Sequence, residues 1–399
     1  MTTAERLTAV AENVQKVYEA GKAAAGPGFV PPISEALDPD EVYRTTRPSS
    51  WPVMPKADAN EIWLLCQCDE GEDDIFTAQI YYSGQLSIDF GWFDGETFEI
   101  WETASPVSGE AFLHTVSHRQ ADEYGNWWYF VRVKSTTMYN CRFAAPTAAK
   151  TAPSVVELVC SRFVSTLTIG SSSSAHAPCQ RLRYIRFTGA GGVAGMADFA
   201  AHCGLLLAVC CEAENQPTNM TTAFYYCYSL CAVSDRFIAG NATGVSCYSA
   251  FSFTSFSPTH KTNLHANNLS YAFNNNRNTT IDLQSLNTES VTDFSNAFSN
   301  SSAEKITNLD ISSAKTTSNM FYMCRRLKKL LFSGEAADGG ITIDLSPCIL
   351  NHKALVEMID SLPVATAAAT ITITGNPGAS ELTDAEIAVA TAKNWTITR

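Results

Sequence analysis

VTDFSNAFSNSSAEKITNLDISS at residues 291–313 and TTSNMFYMCRRLKKLLF at 316–332 are two copies of one phrase. Each has a Phe, a small residue three places on, and then a short apolar run. Working outward, FAAHCGLLLAV, AFYYCYSLCAV, AFSFTSFS and AFNNNRNTTIDL align with them. One slot is filled by Cys203, Cys227, Thr254, Asn276, Ser301 and Cys324, at successive gaps of 24, 27, 22, 25 and 23 residues. Three residues before it stand Ala200, Phe224, Phe251, Phe273, Phe298 and Phe321. Three after it stand Leu206, Leu230, Ser257, Thr279, Glu304 and Leu327.

This period falls inside the roughly 20–29 residues of a leucine-rich repeat. Each copy offers one short strand (LLLAV, TTIDL, ITNLDI, LKKLLF) and a turn or short helix led by the Phe. One copy cannot bury its own apolar edge, so copies stack, with Phe and Leu forming an inner column. A small residue at the slot lets neighbouring turns approach, which is why Cys, Ser and Thr interchange there. VVELVC, STLTIG and LRYIRF supply the first strands; ITIDLS, ATITITG and NWTITR supply the last. HKALVEMIDSL and TDAEIAVATAK read as helices that help to close the array.

Upstream the texture differs. EIWLLCQC, FTAQIYYS, QLSIDFGWF, ETFEIWE and WWYFVRVKS are strand-like runs between polar or Gly-containing turns, the pattern of an antiparallel sandwich. Residues 4–20 read as a helix: Thr2 and Glu5 have capping-box spacing, and Gly21 is a stop. Leu7, Val10, Val14 and Val17 form a seam of about two heptads. Alone it is too short to be stable, so it packs on its own chain, on identical copies or on another protein. Three such helices bundling would give a trimer. AGKAAAGPGFVPP reads as a linker.

The fold class expected is therefore mainly β with short helices: an immunoglobulin-like sandwich followed by a leucine-rich-repeat solenoid, with a short N-terminal helix. The boundaries are 1–24 for the docking or oligomerising helix, 25–41 for the linker, 42–150 for the sandwich and 151–399 for the repeats with their caps.

Charge narrows the partners. Residues 1–150 carry 22 acidic and 11 basic side chains, and the remainder is nearly balanced with 18 and 16. No basic face is present, which argues against nucleic acid and anionic membrane. The repeat region is neutral and rich in Asn, Ser and Thr, a surface suited to uncharged polar ligands. The N-terminus has no long apolar core, so neither a signal peptide nor a membrane span is expected there. Thirteen cysteines form no CxxC framework, and no zinc site is expected. Their recurrence at the slot points to buried thiols in a reducing compartment.

No catalytic constellation stands out. GAGGVAG at 189–195 follows a strand, but its spacing is not that of a dinucleotide loop and it reads as a connecting turn. CDEGEDD at 68–74 gathers carboxylates without calcium-loop spacing and reads as a solvated hairpin tip. His114 and His118 share a strand face without a metalloprotease motif. The sequons at Asn219, Asn241, Asn268, Asn278, Asn300 and Asn394 arise from composition, and no glycosylation is expected. No enzyme activity, cofactor or metal is expected. The candidate ligand-binding groups are Tyr225, Tyr226, Tyr228, Tyr248, Phe253, Tyr271, Asn274, Asn275, Tyr322 and Arg325. Stacked copies would align them in rows, either as flat area with donors for glycans or protein loops or as rings covering the turn core.

The phrases at 291–313 and 316–332 resemble the repeat of BspA-like leucine-rich-repeat proteins, VTDMSGMFSGCSSLTSLDLS. The run SIDFGWFDGETFEIWE, with SGEAFLHTVSHRQADEYGNWWYFVRV after it, resembles a PKD-type immunoglobulin-like domain, with an insertion in the turn at Asp89–Gly95 and HTV where that family has HTY. The layout, with VYEAGK ending the first helix and YRTTRPSSW before the sandwich, is similar to chains of phages and prophages of gut bacteria. The resemblance implies an adhesive or receptor-binding protein. It would dock on phage tail or baseplate proteins through its N-terminus and bind a bacterial cell-surface protein or glycan. Its place would be the virion tail after cytoplasmic assembly. The alternative is an adhesin or scaffold on the bacterial surface that binds host protein or glycan.

Overall fold

The computed structural model describes residues 38–68, 74–146, 154–172, 176–238, 243–256, 264–346 and 348–399. The N-terminal seam of Leu7, Val10, Val14 and Val17 lies outside them, as do 69–73 of the acidic run. The chain is mainly β, with few and short helices. Among the described residues it forms two compact units: one of 38–217 and 226–238, the other of 218–225 and 243–399.

The first unit opens with helix α1, Pro39–Thr46. This helix spans the end of the expected linker and the start of the expected sandwich, and its start signals are present in the sequence. Asp38 accepts the amides of Asp40 and Glu41, and a proline follows the cap. The strands are β1 Glu61–Cys68, β2 Asp74–Tyr82, β3 Leu86–Phe93, β4 Phe98–Ala104, β5 Ala111–Val116, β6 Trp127–Ser135, β7 Met138–Arg142, β8 Val155–Cys160, β9 Phe163–Thr168, β10 Tyr184–Phe187, β11 Gly192–Gly195, β12 Ala208–Cys211 and β13 Ala232–Val233. The short strand Gln120–Ala121 joins β6 at the side of a nine-stranded sheet ordered β13-β12-β10-β8-β1-β6-β3-β4; a second sheet runs β11-β9-β7-β2-β5.

Strand β8 changes the character of both neighbourhoods. It pairs antiparallel with β1 and parallel with β10. The upstream antiparallel strands and the first parallel strands of the downstream region are thus one sheet.

Residues of β1 are buried on both faces. Alternation sends Trp63 and Leu65 into a cluster with Trp128, Phe130, Val159 and Tyr184, covered by Val42 and Trp51. The opposite side is closed by contacts between the sheets, such as Phe76 of β2 against Phe90 of β3 at 5.5 Å. Glu157 on β8 is fully buried. It accepts hydrogen bonds from the Tyr43 hydroxyl at 2.6 Å and from Arg47 Nε at 2.8 Å. A buried carboxylate is tolerated only with such partners, so this pair fixes where α1 sits. Burial and the nearby Glu157 push the Tyr43 phenol well above its ordinary range. Within 189–195, Gly191 has a packing reason: a Cβ there would lie 2.2 Å from the Cys160 carbonyl oxygen.

The second unit continues with β14 Thr243–Ser246, β15 Leu264–Asn268, β16 Thr280–Asp282, β17 Leu286–Asn287, β18 Lys305–Asp310, β19 Lys329–Ser333, β20 Thr342–Asp344, β21 Ala369–Thr372 and β22 Trp395–Thr398. They form three parallel sheets, β14-β15-β17, β16-β18-β19 and β20-β21-β22. Helix α2, Asp235–Ile238, belongs to the first unit; α3, His352–Ser361, and α4, Asp384–Ala392, belong to the second. Asn351 caps α3, and a capping box of Thr383 and Glu386 starts α4.

Between strands, the Phe-led segments are turns rather than helices. Their rings form the column read from sequence. Phe224, Phe251, Phe273, Phe298 and Phe321 are buried, with centroids 6.0, 5.5, 5.6 and 5.5 Å apart and planes within 19° of parallel. The backbones join as well: Phe251 N–H donates to the Ala272 carbonyl, Phe273 to Ala297 and Phe298 to Met320. Two residues before the Phe (or Ala200) and two after it, the backbone is left-handed. The pairs are Asp198 and His202, Thr222 and Tyr226, Ser249 and Phe253, Tyr271 and Asn275, Asn296 and Asn300, Asn319 and Met323, all with φ between 52° and 63°.

The slot residue has a chemical role beyond small size. Cys227 Sγ donates to the Ala200 carbonyl, Cys324 Sγ to that of Phe298, Thr254 Oγ1 to that of Phe251, and Ser301 Oγ, at 3.5 Å, to that of Asn276. Asn276 Nδ2 reaches the carbonyls of Phe256 at 2.9 Å and Phe251 at 3.5 Å. Cys, Thr, Asn and Ser share a donor at short reach, and a buried carbonyl needs one.

Candidate functional site

A cleft of about 320 Å³ opens in the second unit between the sheets β14-β15-β17 and β16-β18-β19. Its cause is a break in the strand pattern. The chain leaves β16, makes a single 3-10 turn at Leu283–Ser285 and enters β17, so one copy contributes to two sheets. On the other wall, the β18–β19 register shifts between Ile306 and Leu309, where Asn308 has φ of 57°. Such a bulge redirects side chains.

Register sets the polar groups in pairs. His265 of β15 lies opposite Asn287 of β17, and Asp310 of β18 lies opposite Ser333 of β19. Gln284, Thr288 and Asn308 complete the polar lining, over buried Leu283 and Leu286. Thr288 ties the walls together: its hydroxyl donates to the Asp310 carbonyl at 2.9 Å and accepts the Asp310 amide at 3.0 Å. Asn308 Nδ2 donates to Asp282 Oδ1 at 2.7 Å, and the Asn287 Oδ1 accepts the Glu289 amide at 3.0 Å. Asp310 Oδ1 accepts both the amide and the hydroxyl of Ser312.

None of the ten residues singled out from sequence lines this cleft. They lie on or beside the turns. In the first unit, Tyr226 stacks on His202 at 4.7 Å and 8°, and Tyr228 meets Tyr226 edge-on at 5.3 Å. In the second, Tyr225 meets Phe253 edge-on at 6.0 Å, and Tyr248 lies 5.9 Å from Tyr271. Tyr248, Tyr271 and Tyr322 are 40%, 38% and 53% exposed, so these three rings are presented to solvent rather than sealed under the turns. Arg325 is exposed, while Asn274 and Asn275 are half-buried and hydrogen-bonded to each other. Tyr226, Phe253, Tyr271 and Asn275 occupy left-handed positions. The cleft residues carried no sequence signal beyond the Asn- and Ser-rich composition, because the bulge that gathers them is a property of pairing.

Residues 247–334 match a family model described as "Mycoplasma protein of unknown function, DUF285". The matched stretch holds four of the five column phenylalanines and every residue lining the cleft. It loosely fits the BspA-like resemblance of the phrases at 291–313 and 316–332, which lie inside it. No curated protein and no solved structure matches the chain.

Elsewhere, Glu102 collects His114 Nε2 at 2.8 Å, Ser117 Oγ at 2.8 Å and His118 Nδ1 at 3.3 Å. Burial raises the Glu102 pKa, but these hydrogen bonds outweigh it and hold the carboxyl below its ordinary range. His114 also stacks on Phe90 at 4.3 Å. The Ser117 hydroxyl and Glu102 meet the same His118 nitrogen, so the group is not a nucleophile–base–orienter relay. Among the described residues, no group of three or more His, Cys, Asp or Glu is arranged to hold a metal ion. No described helix is long and apolar enough to cross a membrane. All thirteen cysteines are free thiols, twelve of them buried. Burial pushes the slot thiols of Cys203 and Cys324 up to about 12, so they are poor nucleophiles.

Proposed function

We propose that this chain is a non-enzymatic receptor-binding protein, carried by a phage or prophage tail and recognising a bacterial surface through its repeats. In this reading the upstream strands are an immunoglobulin-like, PKD-type sandwich that acts as a spacer. The residues from 151 onward are a BspA-like leucine-rich-repeat solenoid. The seam at 4–20 docks on tail proteins or forms a homo-oligomer such as a trimer.

The observation that carries the reading is the regularity of the second unit. Stacked turns hold solvent-exposed Tyr248, Tyr271 and Tyr322 on a rigid support, and the parallel strands hold a polar cleft. Rigid support with adaptable polar and aromatic groups is what recognition surfaces use. The titratable cluster around Glu102 lacks a relay geometry, Glu157 with Tyr43 and Arg47 is buried as a structural anchor, and the buried slot thiols are poor nucleophiles.

The test is binding of the labelled full-length chain to a panel of gut bacteria, alongside mammalian epithelial cells. Selective retention by some bacterial strains supports the reading. Retention only by the mammalian cells would move the protein to the alternative, an adhesin of the bacterial surface. Retention by neither would remove both.

A further inference from the structure

We propose that the cleft between β17 and β18 binds the end of an uncharged, hydroxyl-rich sugar chain. This rests on the receptor-binding reading above and gives it a ligand class and a place.

A sugar hydroxyl donates one hydrogen bond and accepts others, so a site for it needs both kinds of group at close spacing. The internal bonds of the cleft determine what each side chain has left. Asn308 commits its Nδ2 to Asp282, which leaves Oδ1 as an acceptor. Asp310 commits Oδ1 to Ser312, which leaves Oδ2 as a second acceptor. Asn287 commits Oδ1 to the Glu289 amide, which leaves Nδ2 as a donor. Gln284 stands exposed at the mouth with a full amide. The lining thus offers two acceptors and two amides, and the bonds already made hold Asn287, Asn308 and Asp310 in place.

The same lining disfavours other ligands. Asp310 is its sole formal charge apart from the His265 ring, and no Lys or Arg lines it, so an anionic ligand would meet an uncompensated carboxylate. The apolar members, Leu283 and Leu286, are 1% and 2% exposed and offer no anchor to a hydrophobic peptide side chain. A volume of about 320 Å³ lies at the lower end of ligand sites, roughly 300–1,000 Å³, which suits the tip of a chain whose remainder runs out through the open mouth.

The experiment uses the full-length chain on an array of neutral hexose and N-acetylhexosamine oligosaccharides, with uronate-containing and sialylated glycans and short peptides as comparison arms. The double variant Gln284→Ala/Asn308→Gly removes one amide and one acceptor, and glycine accepts the left-handed backbone at 308. Two lost hydrogen bonds predict at least about tenfold weaker binding to the neutral glycan selected. Lys353→Ala, at an exposed position of helix α3 that does not line the cleft, should leave that affinity within about twofold. If the double variant is less stable than the parent, Gln284→Ala alone, at an exposed position, should still weaken binding several-fold. Absence of any neutral-glycan binding, a preference for the charged arms or peptides, or unchanged affinity in both cleft variants would overturn the proposal. A chain that is retained by bacteria yet silent on neutral glycans overturns this ligand class alone; a chain that bacteria do not retain overturns the receptor-binding reading itself.

Discussion

The rings of Phe273 and Phe298 lie 5.6 Å apart and 6° from parallel, each fully buried, in neighbouring copies of the repeat. The contact is local to each pair of copies, but every interior ring serves two pairs. Phe298→Ala should therefore cost roughly 3–5 kcal/mol, the range for a large aromatic removed from a core, and Phe298→Leu clearly less. Urea unfolding of the two variants measures the difference. Equal small effects would mean that the column is not what holds the copies together.

The second prediction concerns the slot. Asn276 is fully buried, donates to the Phe256 carbonyl and accepts the Asn278 amide at 2.9 Å. Replacing it by Leu keeps the bulk and strands both partners, so a loss of about 2–6 kcal/mol is expected, from roughly 1–3 per buried unsatisfied group. Cys324→Ser retains a donor toward the Phe298 carbonyl and should change stability by less than about 1 kcal/mol. Thermal unfolding of both variants decides whether the donor or only the volume matters.

A third prediction tests the left-handed turn positions. Asn296 and Asn300 both have φ of 56°. Glycine at either should be tolerated, whereas Val at either should lose about 1–2 kcal/mol, because a branched side chain crowds its own carbonyl there. Amide exchange across 291–302 would show the Val variants opening locally.

The fourth concerns acid. Glu386 accepts the Thr383 amide, His352 Nε2 and the Thr383 hydroxyl, and these bonds hold its carboxyl down at about 2. A depressed carboxyl contributes stability above its unfolded value, near 4.5, and loses it as pH falls through the folded value. The parent should thus lose stability between about pH 5 and 2 more steeply than Glu386→Gln, measured as Tm against pH. Parallel curves for the two proteins would show that this carboxylate does not contribute to acid unfolding.

Much of this architecture is written in periodic constraints. The Phe column and the slot repeat because each copy must satisfy the same stacking and the same carbonyl, so a single sequence shows them. Strands such as Glu61–Cys68 and Trp127–Ser135 are visible because they are long and bounded by polar turns. Other features depend on what lies opposite. The Pro39–Thr46 helix is short and sits beside a proline- and glycine-rich stretch, and it is anchored by Glu157, more than a hundred residues away. The cleft exists because one copy is divided between two sheets and Asn308 is bulged, neither of which a periodic reading contains. The asparagines carry two meanings at once: Asn275, Asn296, Asn300 and Asn319 suit a left-handed backbone, while Asn287 and Asn308 line the cleft. Composition cannot separate those roles.

Strand Val155–Cys160 has an antiparallel neighbour from the upstream region and a parallel neighbour from the downstream one. Heredity feels that arrangement too. If recombination replaces the C-terminal half of such a protein with another, a crossover near residue 150 leaves Glu61–Cys68 without the partner it was selected beside. The first unit includes residues as far as 238. An exchange that keeps it whole must cut beyond that point, so the parallel strands Tyr184–Phe187, Ala208–Cys211 and Ala232–Val233 would be inherited together with the antiparallel ones.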